Sequence, residues 1–251
     1  MRNQSSFLRS SNLPNLPHPS HTHALFTGLK LGDHHGGPTR MAEILFASLS
    51  ETQTFDPEDI TARYLAWWKE DAFDTGPTFA AVFQRIECGL DREQAVHEAD
   101  IAQDGHTAGC NPAHRIAPLA LFPFIMTADI GKLARQEALI THHHPLAGDM
   151  SALMALICRL VIGGYSWRDV KRISRKMEPS AWAAVDNAKI SDEGFAPDVM
   201  RTALHFLDGQ DSIQRAIDFA GQANYAPVLV GTIDLLRQPQ AAALLCSEGE
   251  Q

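Results

Sequence analysis

The residues that could do chemistry gather in four turns and one long loop. The first turn is the richest: Asp33, His34 and His35 precede Gly36-Gly37-Pro38. Glycine allows φ > 0 or a close ligand approach, and proline suits the first helical position, where a missing N–H costs nothing. The free N–H groups of such a helix start favour an anion. Gly36, Gly37, His34 and His35 are therefore candidate ligand-binding residues, and Asp33 a candidate catalytic acid. Three more turns repeat the design of polar residues, then proline, then an apolar helix: Asp74-Thr75-Gly76-Pro77, Thr141-His142-His143-His144-Pro145 and Gln222-Ala223-Asn224-Tyr225-Ala226-Pro227. Between them runs a non-periodic stretch from Asp104 to Arg115 that holds Gly109, Cys110 and Asn111. A loop that long inside a compact domain usually carries function. If the four helix starts and this loop share one face, they form a polar, anion-tolerant cleft over an apolar floor.

The elements that must position these turns read as helices almost throughout. Met41, Ile44, Leu45, Ser48 and Leu49 fall on one face at 3.6-residue spacing. Asp56-Pro57-Glu58-Asp59 is an N-cap followed by proline and acids in the first turn. The cleanest stripe runs Leu146, Met150, Leu153, Met154, Ile157, Leu160 and Val161, closed by Gly163-Gly164. Ile116 to Phe124 reads as buried, Val228 to Leu236 as a buried helix, and Lys171 to Lys189 as a charged, peripheral segment. No strand alternation and no fixed-period repeat stands out. The fold class is all-α, a compact multi-helix domain. Residues 24–238 form one domain, between an N-terminal tail of 1–23, read as disordered, and a C-terminal tail of 239–251.

Composition narrows the partners. With 251 residues and 45% hydrophobic content the chain can bury a real core. Its net charge of −9 argues against nucleic acid, which needs clustered Lys and Arg. Cys88, Cys110, Cys158 and Cys246 lie far apart without a Cys-x-x-Cys, as expected of reduced thiols in a cytoplasmic protein. No run reaches the about 18 apolar residues of a membrane helix; Ile116 to Met126 is read as the longest, so no membrane partner is expected.

These residues, in this order, resemble the ADP-ribosylglycohydrolase family, the all-α hydrolases that include the bacterial enzyme reactivating dinitrogenase reductase. Gly28-Leu29 through Gly32-Asp33 resembles the family's opening Gly-rich Gly-Asp motif. Thr39-Arg40-Met41-Ala42-Glu43 resembles the helix after its Thr-Asp-Asp-Thr motif, and Trp67 with Asp74-Thr75-Gly76 its Trp…Asp-Ile-Gly segment. Gly109-Cys110-Asn111 through Arg115-Ile116-Ala117-Pro118-Leu119 resembles its Gly-Asn-Gly-Ser…Arg-x-x-Pro-Leu loop. Thr141-His142-x-x-Pro145 is its Thr-His-x-x-Pro motif intact.

The resemblance implies a cleft for an ADP-ribose-like small molecule or an ADP-ribosylated protein. Gly109 to Arg115 would lie along the diphosphate, with Thr141 and His142 near the nucleotide and Thr75, Gly76 and Asn224 completing the site. Asp74 matches a carboxylate implicated in the chemistry, since an oxocarbenium-like transition state needs one nearby. The family also implies a magnesium pair held by aspartates. Here those motifs align with Gly36-Gly37-Pro38-Thr39 and Gln222-Ala223-Asn224-Tyr225, and the aspartates are gone. No cofactor is therefore expected, because magnesium wants hard anionic oxygens. Three readings follow: a hydrolase without the dimagnesium centre, using Asp74 and Asp33; an inactive ADP-ribose or nucleotide binder; and a transition-metal site rebuilt on His34, His35, His142 and Asp33.

Overall fold

The computed structural model describes residues 16–240. Among them are thirteen α-helices and no sheet. In order they are α1 (Pro19–Gly32), α2 (Gly37–Thr52), α3 (Pro57–Asp71), α4 (Pro77–Glu87), α5 (Arg92–Ala102), α6 (Asn111–Arg115), α7 (Ile130–Ala138), α8 (Pro145–Ile162), α9 (Trp167–Met177), α10 (Pro179–Asp186), α11 (Ala196–Leu207), α12 (Ser212–Ala220) and α13 (Ala226–Arg237). A 3-10 turn, Ala117–Ala120, follows α6. The all-α class is the observed one.

Local chemistry explains most of the helix starts. The Asp56 carboxylate accepts from the N–H groups of Glu58 and Asp59, Asp91 caps α5 through Gln94, and Ser166 caps α9 through Asp169. Proline occupies the first or second position of α1, α2, α3, α4, α8 and α13. Each start then feeds an apolar face into a common core.

Helix α8 is the centre of that core. Ala147, Met150, Leu153, Met154, Ile157 and Cys158 are all fully buried. By length and composition α8 could cross a membrane, which corrects the expectation that no segment could. Its burial within the protein identifies it as a core helix, and Gly148, Asp149, Ser151 and Arg159 are what kept the run from reading as continuous.

Four sequence expectations change. The N-terminal tail is shorter than 1–23, because residues 19–23 already belong to α1, capped by His18. Residues 1–15 lie outside the described residues, as do Cys246 and the C-terminal tail from 241 on. Second, Gly28 and Gly32 are not part of a glycine-rich turn. Both lie inside α1, where a Cβ on Gly28 would collide with the Gly231 carbonyl and one on Gly32 with that of Pro227. These glycines let α1 and α13 pack backbone to backbone, which sets Asp33 at the end of α1 beside Asn224 at the start of α13. Third, Lys171 to Lys189 is regular. It forms α9 and α10, which bury Val170, Ser174, Ala181, Trp182 and Val185, with Arg175 stacked 4.0 Å over Trp182. Trp167, Val170, Ile173 and Met177 recur at helical spacing in α9, but the many charges between them make the segment read as surface. Fourth, the 104–115 stretch is loop only to Cys110. It is stitched to residues 194–196 by Cys110 N–H to the Gly194 carbonyl (3.1 Å) and Ala196 N–H to that of Ala108 (2.9 Å).

Candidate functional site

The helix starts meet over one cavity of about 270 Å³. Pro38 comes from the start of α2, and Asp74, Thr75, Gly76, Pro77, Thr78 and Phe79 from the start of α4. Gly109, Cys110, Asn111 and His114 come from the loop and α6, His142 from the turn before α8, and Asn224 and Tyr225 from the start of α13. Gln103, His106 and Gly194 complete the lining, which contains no Lys or Arg.

Two aspartates organise one side. Asp33 Oδ1 accepts from the Gly36 N–H (2.7 Å) and Oδ2 from the Thr39 N–H (2.8 Å). The Gly37 N–H donates to Asp74, and residue 38 is proline. The first turn of α2 is thus closed by the protein's own carboxylates. This corrects the expectation that Gly36-Gly37-Pro38 offers a free anion site: the anion is already there. A Cβ on Gly37 would strike the Asp74 carbonyl, so that glycine serves close packing. Gly36, at φ 90°, makes the left-handed turn into α2.

Asn224 joins the two acids. Its Nδ2 donates to Asp33 Oδ1 (2.9 Å) and to Asp74 Oδ2 (2.7 Å), and its Oδ1 accepts from the His34 N–H (2.6 Å). The orientation of the amide is dictated by its partners, since carboxylates only accept and the backbone N–H only donates. Loss of surrounding water raises the Asp74 pKa above the ordinary carboxylate value, the Asn224 hydrogen bond works against that, and the Asp33 charge adds to it.

Does this cluster suit a magnesium pair? Where bridging cations would need anionic oxygen, Asn224 presents an N–H₂ group to both carboxylates. No group of three or more His, Cys, Asp or Glu among the described residues could hold a metal ion. The donor set therefore does not fit the family's metal pair. The Thr39 hydroxyl is buried without a partner.

Rebuilding around imidazole fits no better. His34 and His35 are exposed, stacked edge to face 4.8 Å apart, and absent from the cavity lining. The His35 Nε2 engages the Gln222 carbonyl at 3.0 Å. They stand outside the cavity lining, although His35 is near enough to Asp74 for a charge on it to favour the carboxylate. Asp33 likewise lies behind Asn224, outside the lining.

A second polar cluster lies beneath the floor. Arg115 and Glu137 are both 0% exposed. Arg115 Nε donates to Glu137 Oε1 (2.6 Å), Nη2 to the Thr141 hydroxyl (2.8 Å), and Nη1 to Asn111 Oδ1. The Tyr64 hydroxyl donates to Glu137 at 3.0 Å. Arg115 and Thr141 therefore do not face the cavity, contrary to the expectation that both touch the ligand. Arg115 instead holds Asn111, which in turn donates to the Thr75 carbonyl at 3.0 Å. Glu137 carries no motif, and only its apolar neighbours Ala134 and Ala138 hint that its face of α7 is inward.

The opposite wall is open. Gly76, at φ 75°, leads into α4 with no side-chain cap, so this helix start keeps free N–H groups on the cavity. Cys110 is buried and its thiol is pushed up to about 12, so it is a protonated, inert lining group. His142 is 2% exposed and His114 4% exposed. Burial, then the Arg115 charge, holds His142 well below the usual histidine range; burial brings His114 to about 4. His114 and Tyr225 are lining residues that lie inside the quoted motifs but are not singled out there as site residues. A histidine one place before the buried Arg115, on a five-residue helix, gave no periodicity to read.

The ADP-ribosylglycohydrolase family profile matches residues 13–235 of the chain. No curated protein matches it. Among solved structures, one described as an ADP-ribosylglycohydrolase-related protein complex superposes with a TM-score of 0.66 at 22% identity, covering 87% of each chain. That likeness concerns the fold.

Proposed function

We propose, for a chain that belongs to the ADP-ribosylglycohydrolase family, that the cleft hydrolyses the glycosidic bond of an ADP-ribosyl or related nucleoside group without a dimagnesium centre. The observation that carries this reading is Asp74: a carboxylate on the cavity, held by the Asn224 amide and the Gly37 N–H, with no Lys or Arg ion pair among the described residues. As the bond from the anomeric carbon to its leaving atom breaks, positive charge builds on the ribose ring. Asp74 stabilises that charge and takes a proton from the attacking water, whose oxygen bonds to the anomeric carbon. The leaving group collects its proton from solvent. Asp33 acts through Asn224, keeping the bridging amide turned towards Asp74. The diphosphate lies against the uncapped start of α4, whose backbone N–H groups supply donors where no Lys or Arg does.

The test is release of ADP-ribose from an ADP-ribosylated protein, with magnesium and with EDTA. Turnover unchanged by EDTA is expected, and strict magnesium dependence would overturn the reading. Asp74→Asn lowers turnover by roughly 10²–10⁴-fold. Asp74 works as the anion and its pKa is raised, so the rate falls as pH drops through a midpoint above the ordinary carboxylate value. Asn224, standing where the family keeps an aspartate, favours one second reading, an inactive binder of ADP-ribose. Heat on titration with ADP-ribose, without turnover, is its signature.

A further inference from the structure

Two side chains on the cavity carry a buried, unpartnered polar atom among the described residues: Gln103 at its amide nitrogen, a donor, and His114 at a ring nitrogen. The His114 Nε2 is shielded from solvent and meets no hydrogen-bond partner, although the ring lines the cleft. The other ring nitrogen is engaged by the backbone of Tyr225, an interaction that favours the protonated ring, so the backbone group is the acceptor carbonyl. A neutral His114 therefore carries its proton on Nδ1 and leaves Nε2 as a bare lone pair. The Tyr225 ring, stacked at 29° and 6.5 Å, fixes the plane of the imidazole.

His142 has the opposite polarity. The Thr141 hydroxyl already accepts from Arg115, and its own proton has His142 Nδ1 at 2.7 Å against the Ala138 carbonyl at 3.5 Å. Donation to Nδ1 puts the His142 proton on Nε2, beside Gly109 on the cavity wall. The His114 ring is close enough to disfavour charging of His142. One neutral imidazole thus presents an acceptor to the cavity and the other a donor. A vicinal diol offers the matching pair, one O–H to give and one oxygen to receive. A buried acceptor without a partner costs free energy that such a ligand recovers.

We propose that His114 is a ligand-binding residue: its Nε2 accepts a hydrogen bond from one ribose hydroxyl while the His142 Nε2–H donates to the neighbouring one, so the pair reads a neutral sugar diol. This rests on the ribosyl ligand proposed above. The alternative is an ordinary core histidine whose Nε2 stays without a partner.

Calorimetry with ADP-ribose on the wild-type chain, His114→Leu and His114→Gln separates them. Glutamine keeps an acceptor near the Nε2 position and leucine does not. Binding about tenfold weaker in His114→Leu, and within about threefold of wild type in His114→Gln, is expected. Heat that His114→Leu leaves unchanged, or a glutamine variant as weak as the leucine one, overturns the role of His114 while the proposed function stands. No heat from the wild type overturns the proposed function instead. Long-range proton–nitrogen NMR of the ligand-free wild-type chain reads the tautomers without any variant. His114 protonated on Nδ1 and His142 on Nε2 is expected, and a proton on His114 Nε2 overturns the assignment whatever binds.

Discussion

Two polar clusters stand one above the other, and they handle negative charge in opposite ways. Below the floor, Glu137 meets the full charge of Arg115 and the hydroxyl of Tyr64, sealed from solvent. At the cleft, the hydrogen-bond donors to Asp33 and Asp74 are a neutral amide and the N–H groups that start α2. In the lower cluster each of the three guanidinium nitrogens of Arg115 has a side-chain partner, which makes it a brace for Asn111 and Thr141. In the upper one the helix dipole and the amide offset part of the charge, and the remainder is left facing the cavity. A carboxylate neutralised by a cation holds structure. One held by neutral donors keeps an anionic field for a cationic transition state.

The contrast can be broken at either end. Arg115→Leu strikes the lower cluster and has the largest expected effect. It leaves Glu137 buried without its counter-charge, at about 3–5 kcal/mol in urea unfolding. A loss below about 1 kcal/mol would mean that water reaches Glu137 and the cluster is no brace. Asn224→Asp tests the upper cluster by setting a third carboxylate between two others. Without divalent ions the expected cost is roughly 1–3 kcal/mol. Millimolar magnesium then restores stability in this variant, because binding to the folded state alone stabilises by mass action. The wild-type melting temperature stays flat in the same titration; a rise there would break the claim that Asn224 excludes the metal pair. Asp33→Ala is the mildest, removing the cap of α2 for about 1 kcal/mol in the same unfolding assay. No change at all would show that the Asp74 carboxylate alone closes that helix start.

Much of the fold was legible in the sequence. The caps at Asp56, Asp91 and Ser166 and the stripe of α8 are local signals, and each corresponds to an observed helix. The clustering of polar residues before proline also marked the turns that line the cavity. What misled was the reading of those turns one at a time. Gly36-Gly37-Pro38 looks like a vacant anion site because nothing local shows that Asp33 folds back onto it and that Asp74 arrives from another turn. Arg115 looks like a phosphate ligand because a sequence does not tell which way a side chain on a five-residue helix points. Nothing local singles out His114.

The sequence by itself determined the helices, their starts and the residue types gathered near them, since capping, proline and periodicity act within a few residues. Only the tertiary structure decided which of those residues face the cavity and which are spent on one another. Asp33 and Asn224 stand 191 positions apart, and they meet because Gly28, Gly32 and Gly231 let two helices touch backbone to backbone. That contact turns two unremarkable turns into one cluster, and no local rule could have foreseen it.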